Sequence, residues 1–330
     1  FILLSKEQAL PPGVKHNIVI VQPNVDPYNE KFTGSYAQQL EKMLKLAVQK
    51  TDSTTEYVVF PETALVEDIW EDEFDKSSSL NSLKKFNSFF PTLKIIIGAS
   101  TAKLYKPGEK LSETARKFTN DDAYYDAYNT ALQIDNSGKM QQYHKSKLVP
   151  GVEHMPFLFF FKYFEKFALE MGGTTGSLGV QSERGVFTSP DGSATIAPVI
   201  CYESIYGEYV SEYVRNGAQA LAIITNDGWW GNTPGHVQHL KIGRLRAIEN
   251  RRWIMRSANT GISCFISPSG EISQATEYWV PAVIKGSVEL RNDFTFYTLY
   301  GDYIGRTAMY TAFLLIIYSW LIRFRIIKKS

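Results

Sequence analysis

Three residues that could cooperate in acyl chemistry each lie at the end of a segment with a strand-like sequence: Glu62, Lys145 and Cys201. A thiol needs a base to become a nucleophile at neutral pH, and a carboxylate can take its proton and later return it to a leaving group. The attack produces an oxyanion, which an ammonium group and the backbone N–H after the cysteine can stabilise. The three side chains together predict nucleophilic catalysis by Cys201.

Each of these residues also has a plain structural explanation. Free cysteine is among the most buried residue types and is usually inert. Glu62 can cap a turn after a proline, and Lys145 can be a solvated charge of a hairpin. Their spacing alone does not join them. His236 and His239 have no accompanying carboxylate or cysteine pattern, so no metal site is predicted.

The elements that must position these residues can be read from the apolar periodicity. Strands are predicted at 17–21, 57–60, 94–100, 128–134, 139–144, 195–201, 218–225, 253–258, 262–267 and 283–290. Helices are predicted at 34–50, around 80–90, near 205–216 and at 234–250. Strands and helices alternate early and hairpins come later, which predicts an α/β protein with two mixed sheets covered by helices.

Composition excludes some classes of protein. The chain has 330 residues and a net charge of +1, whereas a protein that binds nucleic acid normally has a strongly basic domain. Its two cysteines, Cys201 and Cys264, are too few for a disulfide scaffold. Cys264 lies inside an apolar strand with no acid or amine motif beside it, so we interpret it as a packing residue.

The C-terminal segment predicts a membrane helix. No residue from 307 to 322 is charged, and Arg306 and Arg323 bound the stretch. A span needs about 20 apolar residues, and flanking arginines extend a shorter stretch by reaching toward the interface. The basic residues after it indicate the cytoplasmic side, which puts the rest of the chain on the opposite face. The alternative is a buried C-terminal helix.

The chain opens Phe-Ile-Leu-Leu without a methionine, and we expect residues 1–14 to be the end of an upstream membrane part and a linker.

Several motifs resemble a known family. The order Pro-Glu at 61–62, Tyr-x-Lys-x-x-Leu-Val-Pro at 143–150 and Cys-Tyr-Glu at 201–203 resembles the carbon–nitrogen hydrolase (nitrilase) superfamily. Ile-Val-Ile-Val-Gln-Pro-Asn at 18–24 and Asn-Asp-Gly-Trp-Trp-Gly at 226–231 are similar to the apolipoprotein N-acyltransferase family within it. The resemblance implies a four-layer αββα sandwich, here 15–295, followed by a transmembrane helix and basic tail at 296–330.

The resemblance also implies roles for individual residues. Glu62 matches the general base, Lys145 the oxyanion lysine and Cys201 the acylated nucleophile. Glu153 matches a glutamate beside the base, and Tyr202 and Glu203 match the pair after the cysteine. The chain departs from the family in two places: Gly151-Val152 stands where Phe-Gly is common, and Lys31-Phe32 stands near the place of a frequent Lys-Trp.

The implied activity is transfer of a fatty acyl chain from a phospholipid, through a cysteine thioester, to the α-amine of a diacylglyceryl-cysteine lipoprotein. No cofactor is implied, and the implied location is the bacterial inner membrane with the catalytic domain on the periplasmic face. Two alternatives remain open. One is an amidase or nitrilase that acts on a small amide, and the other is a membrane-anchored binding protein without catalysis.

An aromatic segment at 155–171 follows the Lys145 motif directly. It is either a core helix or an apolar arm that contacts lipid acyl chains, with Gly172-Gly173 as its hinge. On the second interpretation the candidate lipid contacts are Phe157, Phe159 and Phe160, together with Phe32 in the loop after the first strand.

Overall fold

The computed structural model describes residues 13–31, 34–119, 121–150, 153 and 178–327. Its strands, in chain order, are β1 (Lys15–Gln22), β2 (Tyr57–Val59), β3 (Leu65–Trp70), β4 (Lys94–Leu104), β5 (Arg116–Lys117), β6 (Tyr124–Ile134), β7 (Met140–His144), β8 (Phe187–Thr188), β9 (Thr195–Ile200), β10 (Ala220–Thr225), β11 (Ile254–Ala258), β12 (Cys264–Ile266), β13 (Ile272–Ser273) and β14 (Ala282–Glu289).

The helices of the described residues surround these strands. The α-helices are α1 (Tyr36–Val48), α2 (Ser78–Ser88), α3 (Gly207–Arg215), α4 (Gly235–Asn250), α5 (Phe296–Tyr300) and α6 (Tyr303–Ile327). Short 3-10 helices cover Glu71–Lys76, Cys201–Ile205 and Asp227–Trp230.

The strands form two mixed sheets. The first has the order β14-β1-β2-β4-β6-β5, with β3 also paired to β4 and β7 also paired to β6. The second has the order β13-β12-β11-β10-β9-β8. Strands β1, β2, β3 and β4 run parallel, as do β9, β10 and β11, and the remaining strands pair antiparallel to their neighbours.

The alternation of side chains along β1 explains the layers. Ile18 and Ile20 belong to a core that also contains the second sheet and α3 and α4. Val19 and Val21, on the opposite face, pack in a core with α1 and α2. Because successive side chains of a strand point to opposite faces, one sheet is covered on both sides. The layers are therefore helix, sheet, sheet and helix, which confirms the predicted αββα sandwich.

Four strands were not predicted from the sequence: β3, β5, β8 and β13. Three of them have only two residues, too few to show a periodicity. Strand β3 reads Leu-Val-Glu-Asp-Ile-Trp, and its central acidic pair interrupts the apolar alternation. The longer predicted strands and helices are present, and the domain boundaries given above stay a prediction.

The predicted C-terminal helix is present and is exposed rather than buried. Among the described residues one helix, Tyr303–Phe324, is long and apolar enough to cross a membrane, with 22 residues and a mean hydropathy of 1.4. Its side chains pack against no core, since none of that stretch is buried. The alternative of a buried C-terminal helix is therefore wrong.

Candidate active site

The three predicted chemical residues lie directly after strands of the two facing sheets. Glu62 follows β2 by three residues, Lys145 comes directly after β7 and Cys201 directly after β9. Strand β7 runs in the same direction as β2, because it is antiparallel to β6, which is antiparallel to β4. The carboxyl ends of β2 and β7 thus lie at the same end of the first sheet, so the topology brings Glu62 and Lys145 together.

Lys145 forms the centre of a buried ionic group. Its Nζ donates to Glu62 Oε1 at 2.8 Å and to Glu153 Oε1 at 2.9 Å. The side chain of Lys145 is 1% exposed and that of Glu62 7%. Charges this deeply buried are retained only when they are paired and hydrogen-bonded, as they are here.

Two asparagines complete the hydrogen bonds of Glu62. Asn129, in the middle of β6, donates from Nδ2 to Glu62 Oε1 at 2.8 Å and to Glu153 Oε1 at 3.0 Å. The backbone N–H of Asn226, after β10, donates to Glu62 Oε2 at 3.1 Å. Gly98 in β4 lets this loop approach, since a Cβ there would lie 2.6 Å from the Cα of Glu62.

Cys201 occupies a strained turn at the end of its strand. Its φ is +47°, a left-handed conformation that costs a non-glycine residue about 1–3 kcal/mol. The residue is 7% exposed, and its carbonyl accepts a hydrogen bond from Ser204 Oγ at 2.7 Å. Such a turn places the thiol at the end of a rigid buried strand rather than along its face.

The electrostatics keep the carboxylate charged and the thiol neutral. Burial acts to raise the pKa of Glu62, but the charge and hydrogen bond of Lys145 outweigh it and hold that pKa below its ordinary value. Burial acts to lower the pKa of Lys145, but Glu153 and Glu62 raise it well above the usual range. Burial, aided by Glu62 and partly opposed by Lys145, raises the pKa of Cys201. The charges of Glu62 and Lys145 therefore both shift the pKa of the thiol.

Lys31 is a further charged residue of this site, and sequence reasoning did not assign it a role. It is 4% exposed, and its Nζ donates to Thr63 Oγ1, next to Glu62. Burial lowers the pKa of Lys31 to about 8, although the charges of Glu62 and Cys201 oppose this shift. The one available signal was its position beside Phe32, where the family often has Lys-Trp.

Glu203 links the Lys145 loop to the Cys201 turn through hydrogen bonds. It is fully buried, and burial raises its pKa although hydrogen bonds from four donors oppose that shift in part. One oxygen accepts from the backbone of Ser146 and the other from the backbone of Ile200. Its remaining donors are three tyrosine hydroxyls, at distances of 2.7–3.0 Å: Tyr143, Tyr209 and Tyr213.

The other predicted residues are placed as follows. Tyr202 is half-buried, and its ring meets the edge of Tyr206 at a centroid distance of 5.5 Å. The candidate lipid contacts lie outside the described residues: Phe32, Phe157, Phe159 and Phe160.

Comparison with known families identifies the domain. The model of the carbon-nitrogen hydrolase family matches residues 18–292, which is most of the chain. The chain belongs to the carbon-nitrogen hydrolase family. This confirms the resemblance inferred from the Pro-Glu, Tyr-x-Lys and Cys-Tyr-Glu motifs.

Relatives within the carbon-nitrogen hydrolases include longer proteins. The chain is 33% identical over 295 residues to the apolipoprotein N-acyltransferase of Chlorobaculum tepidum, covering 88% of this chain and 54% of that protein. It is 28% identical over 292 residues to that of Geobacter metallireducens, covering 88% and 51%. The chain thus spans about half the length of these relatives.

Solved structures share the fold at low identity. A nitrilase-superfamily member from Saccharomyces cerevisiae matches with a TM-score of 0.58 and 16% identity, over 83% of this chain and 90% of that one. An amidase from Nesterenkonia sp. matches with a TM-score of 0.56 and 14% identity, over 89% and 96%. At this identity the likeness concerns the two-sheet sandwich alone.

Proposed function

We propose that this carbon-nitrogen hydrolase domain is the catalytic part of an apolipoprotein N-acyltransferase. The observation that carries the proposal is the buried group of Glu62, Lys145 and Cys201 in a domain followed by an exposed apolar helix. An amidase of small molecules has no need of such a helix, whereas an enzyme with two lipid-borne substrates does. The names of the relatives support the same activity.

In the first half-reaction Glu62 takes the proton of Cys201, and the thiolate attacks the ester carbonyl of a phospholipid. Lys145 Nζ and the backbone N–H of Tyr202 stabilise the oxyanion, and one such donor commonly contributes a factor of about 10²–10³ to the rate. The intermediate collapses with cleavage of the ester C–O bond. The departing lysophospholipid takes the proton from Glu62, and a thioester remains on Cys201.

In the second half-reaction the free α-amine of a diacylglyceryl-cysteine lipoprotein attacks the thioester. Glu62 accepts a proton from the amine, the C–S bond breaks, and Cys201 regains its proton as the amide is released. Glu153 supports this cycle because it shares Lys145 and Asn129 with Glu62, which holds the base in place. Tyr202 contributes its backbone, and Glu203 fixes the turn on which Cys201 sits.

The membrane placement belongs to the same proposal. Tyr303–Phe324 would cross the bacterial inner membrane, with the basic residues after it on the cytoplasmic side and the catalytic domain on the periplasmic face. Both substrates are lipids, so this placement brings the active site to the surface on which they diffuse.

The test is mass spectrometry of the chain after incubation with phospholipid. We expect an acyl thioester on Cys201, whose mass identifies the transferred chain, and no adduct in Cys201→Ala. The matched control is Cys264→Ala, which should acylate normally because Cys264 is a buried residue of β12 and makes no hydrogen bond with Glu62 or Lys145. An adduct that persists in Cys201→Ala contradicts the assignment. Ammonia release from small amides without any phospholipid adduct would favour an amidase instead.

A further inference from the structure

A second buried polar cluster lies beneath Cys201 and has no part in the proton transfers described above. It consists of Asp227, His239 and Arg256, which are 0%, 3% and 0% exposed. Arg256 Nη2 donates to Asp227 Oδ2 at 2.6 Å, and His239 Nδ1 lies 3.0 Å from Asp227 Oδ1. Burying three ionisable side chains is costly unless they satisfy one another, so this arrangement calls for an explanation.

The cluster reaches the backbone of the nucleophile. His239 Nε2 lies 3.2 Å from the carbonyl oxygen of Cys201 and 2.7 Å from Ser204 Oγ. A carbonyl oxygen can only accept, so the proton of this contact is on Nε2, and that one N–H is shared between the Cys201 carbonyl and the nearer Ser204 Oγ. Ser204 Oγ donates to the same carbonyl at 2.7 Å. Two donors therefore hold the oxygen of Cys201 on the side of α4.

The imidazole that makes this contact is held from every direction. With the proton on Nε2, Nδ1 accepts from Arg256 Nη2 at 3.2 Å, and Asp227 holds that guanidinium at 2.6 Å. Thr225 Oγ1 donates to Asp227 Oδ1 at 2.9 Å, which fixes the carboxylate in turn. The ring of Trp230 meets the imidazole edge-on at 5.3 Å. A ring with this many partners does not rotate freely, so its Nε2 stays aimed at the Cys201 carbonyl.

The restraint on the Cys201 carbonyl also determines the direction of the Tyr202 N–H in the same peptide group. The Cys201–Tyr202 peptide bond is planar and trans, so its C=O and N–H point in opposite directions. Fixing the oxygen therefore fixes the direction of the Tyr202 N–H. The strained φ of +47° at Cys201 makes this constraint necessary, because an unrestrained residue would relax toward the common negative φ.

We propose that His239 is a positioning residue: anchored by Asp227 and Arg256, it holds the Cys201 carbonyl so that the Tyr202 N–H points at the oxyanion. The inference rests on the proposed function only in assigning the oxyanion to an acyl intermediate at Cys201. Any acyl donor forms that oxyanion, so a soluble ester can test His239 separately from the phospholipid.

The experiment compares two reactions of Cys201 in the full chain in detergent. Acylation by p-nitrophenyl butyrate, followed as a burst of p-nitrophenolate, passes through an oxyanion. Alkylation by iodoacetamide does not. In His239→Asn, whose shorter side chain reaches Asp227 but not the Cys201 carbonyl, we expect acylation to slow by about 10²-fold, as for loss of one oxyanion donor, with alkylation unchanged. His239→Gln keeps an N–H near the Nε2 position and should restore most of the acylation rate.

The matched control is His236→Gln. His236 lies in the same helix and is 8% exposed, but it stacks on Tyr278 at 3.9 Å instead of facing Cys201. Both of its rates should equal those of the unaltered chain. An equal fall of acylation and alkylation in His239→Asn, or no fall in either, overturns the proposal. If His239→Asn slows acylation by the ester and leaves alkylation unchanged, the role of His239 is supported. If the unaltered chain at the same time forms no thioester from phospholipid, phospholipid is not the acyl donor.

Discussion

Two carboxylates, of which Glu62 is buried and Glu153 partly exposed, and two buried ammonium groups surround Cys201, and their balance sets the reactivity of its thiol. Lys145 is held by Glu62 and Glu153 at once, so its charge is already largely compensated and lowers the thiol pKa only in part. The resting site therefore contains a neutral thiol beside a charged carboxylate, rather than a preformed thiolate. In such a site the base must remove the proton during the attack.

This balance predicts the pH dependence of Cys201 alkylation. The pKa of Cys201 is raised, so the thiolate fraction is small at neutral pH and grows as the pH rises toward that pKa. Because the lowered pKa of Glu62 keeps this base charged from about pH 6 to pH 9, we expect the rate of reaction with iodoacetamide to be nearly independent of pH in the unaltered chain. In Glu62→Gln the rate should be lower and should rise with pH, because the thiol must then lose its proton to solvent. The measurement is labelled-peptide mass spectrometry of the alkylated chain.

Cys264→Ala provides the background for that measurement, since it removes the second thiol, whose pKa burial raises to about 11. A Glu62→Gln chain that reacts as fast as the unaltered chain at about pH 7 would mean a stable thiolate that needs no base, and the general-base step would be wrong.

At the scale of single residues, the sequence indicated only part of the site. Glu62, Lys145 and Cys201 were predictable because each follows a strand-like run, and the family motifs joined them. Asn129 and Lys31 were not, because one lies in the middle of β6 and the other in a turn after β1, where no spacing rule marks them. Their part in the site depends on the packing of two sheets that are distant in the sequence.

At the scale of elements, Glu203 connects the segment that carries Cys201 to the segment that carries Lys145. Its carboxylate accepts from the backbone N–H groups of Ser146, next to Lys145, and Ile200, next to Cys201. The segments come from different sheets, so this side chain fixes a distance that no strand pairing fixes.

We predict that Glu203→Gln lowers the free energy of unfolding by about 2–4 kcal/mol, because the amide –NH₂ would face donors that a carboxylate satisfies. The backbone N–H groups cannot turn away, so at least one is left without an acceptor. Thermal or denaturant unfolding of the full chain in detergent measures the loss. Tyr213→Phe removes a single donor at 3.0 Å and should cost about 1 kcal/mol. Equal stability of Glu203→Gln and the unaltered chain would contradict the role of Glu203.

The elements themselves were predictable to different degrees. The buried strand β10 reads as a continuous apolar run, and α1 shows a clear helical spacing, so both were predicted close to their observed bounds. Short edge strands such as β5 and β8 were missed, because two residues acquire their strand conformation from a neighbouring strand and not from their own pattern.

At the scale of the whole molecule, the sandwich and the apolar helix have separate roles in stability. Within the described residues, helix α6 contributes no side chain to either hydrophobic core, and Arg306 in its first turn pairs with Glu208 at 2.6 Å. Removal of the helix should therefore leave the sandwich folded and remove the attachment to the membrane.

We predict that a chain ending at Arg306 moves from the detergent phase to the aqueous phase in a partition experiment. The β-sheet contribution to its far-UV circular dichroism spectrum should be unchanged. Its burst with p-nitrophenyl butyrate should persist, because the charged group around Cys201 is intact. Acylation from phospholipid vesicles should fall by roughly 10²-fold or more, because the effective concentration of enzyme at the bilayer is lost. A chain ending at Ile327 keeps the helix and is the control. If the shortened chain still partitions into detergent, α6 is not the anchor. If the shortened chain loses the β-sheet signal in circular dichroism, α6 is needed for the sandwich to fold, and the sandwich is not independent of the helix.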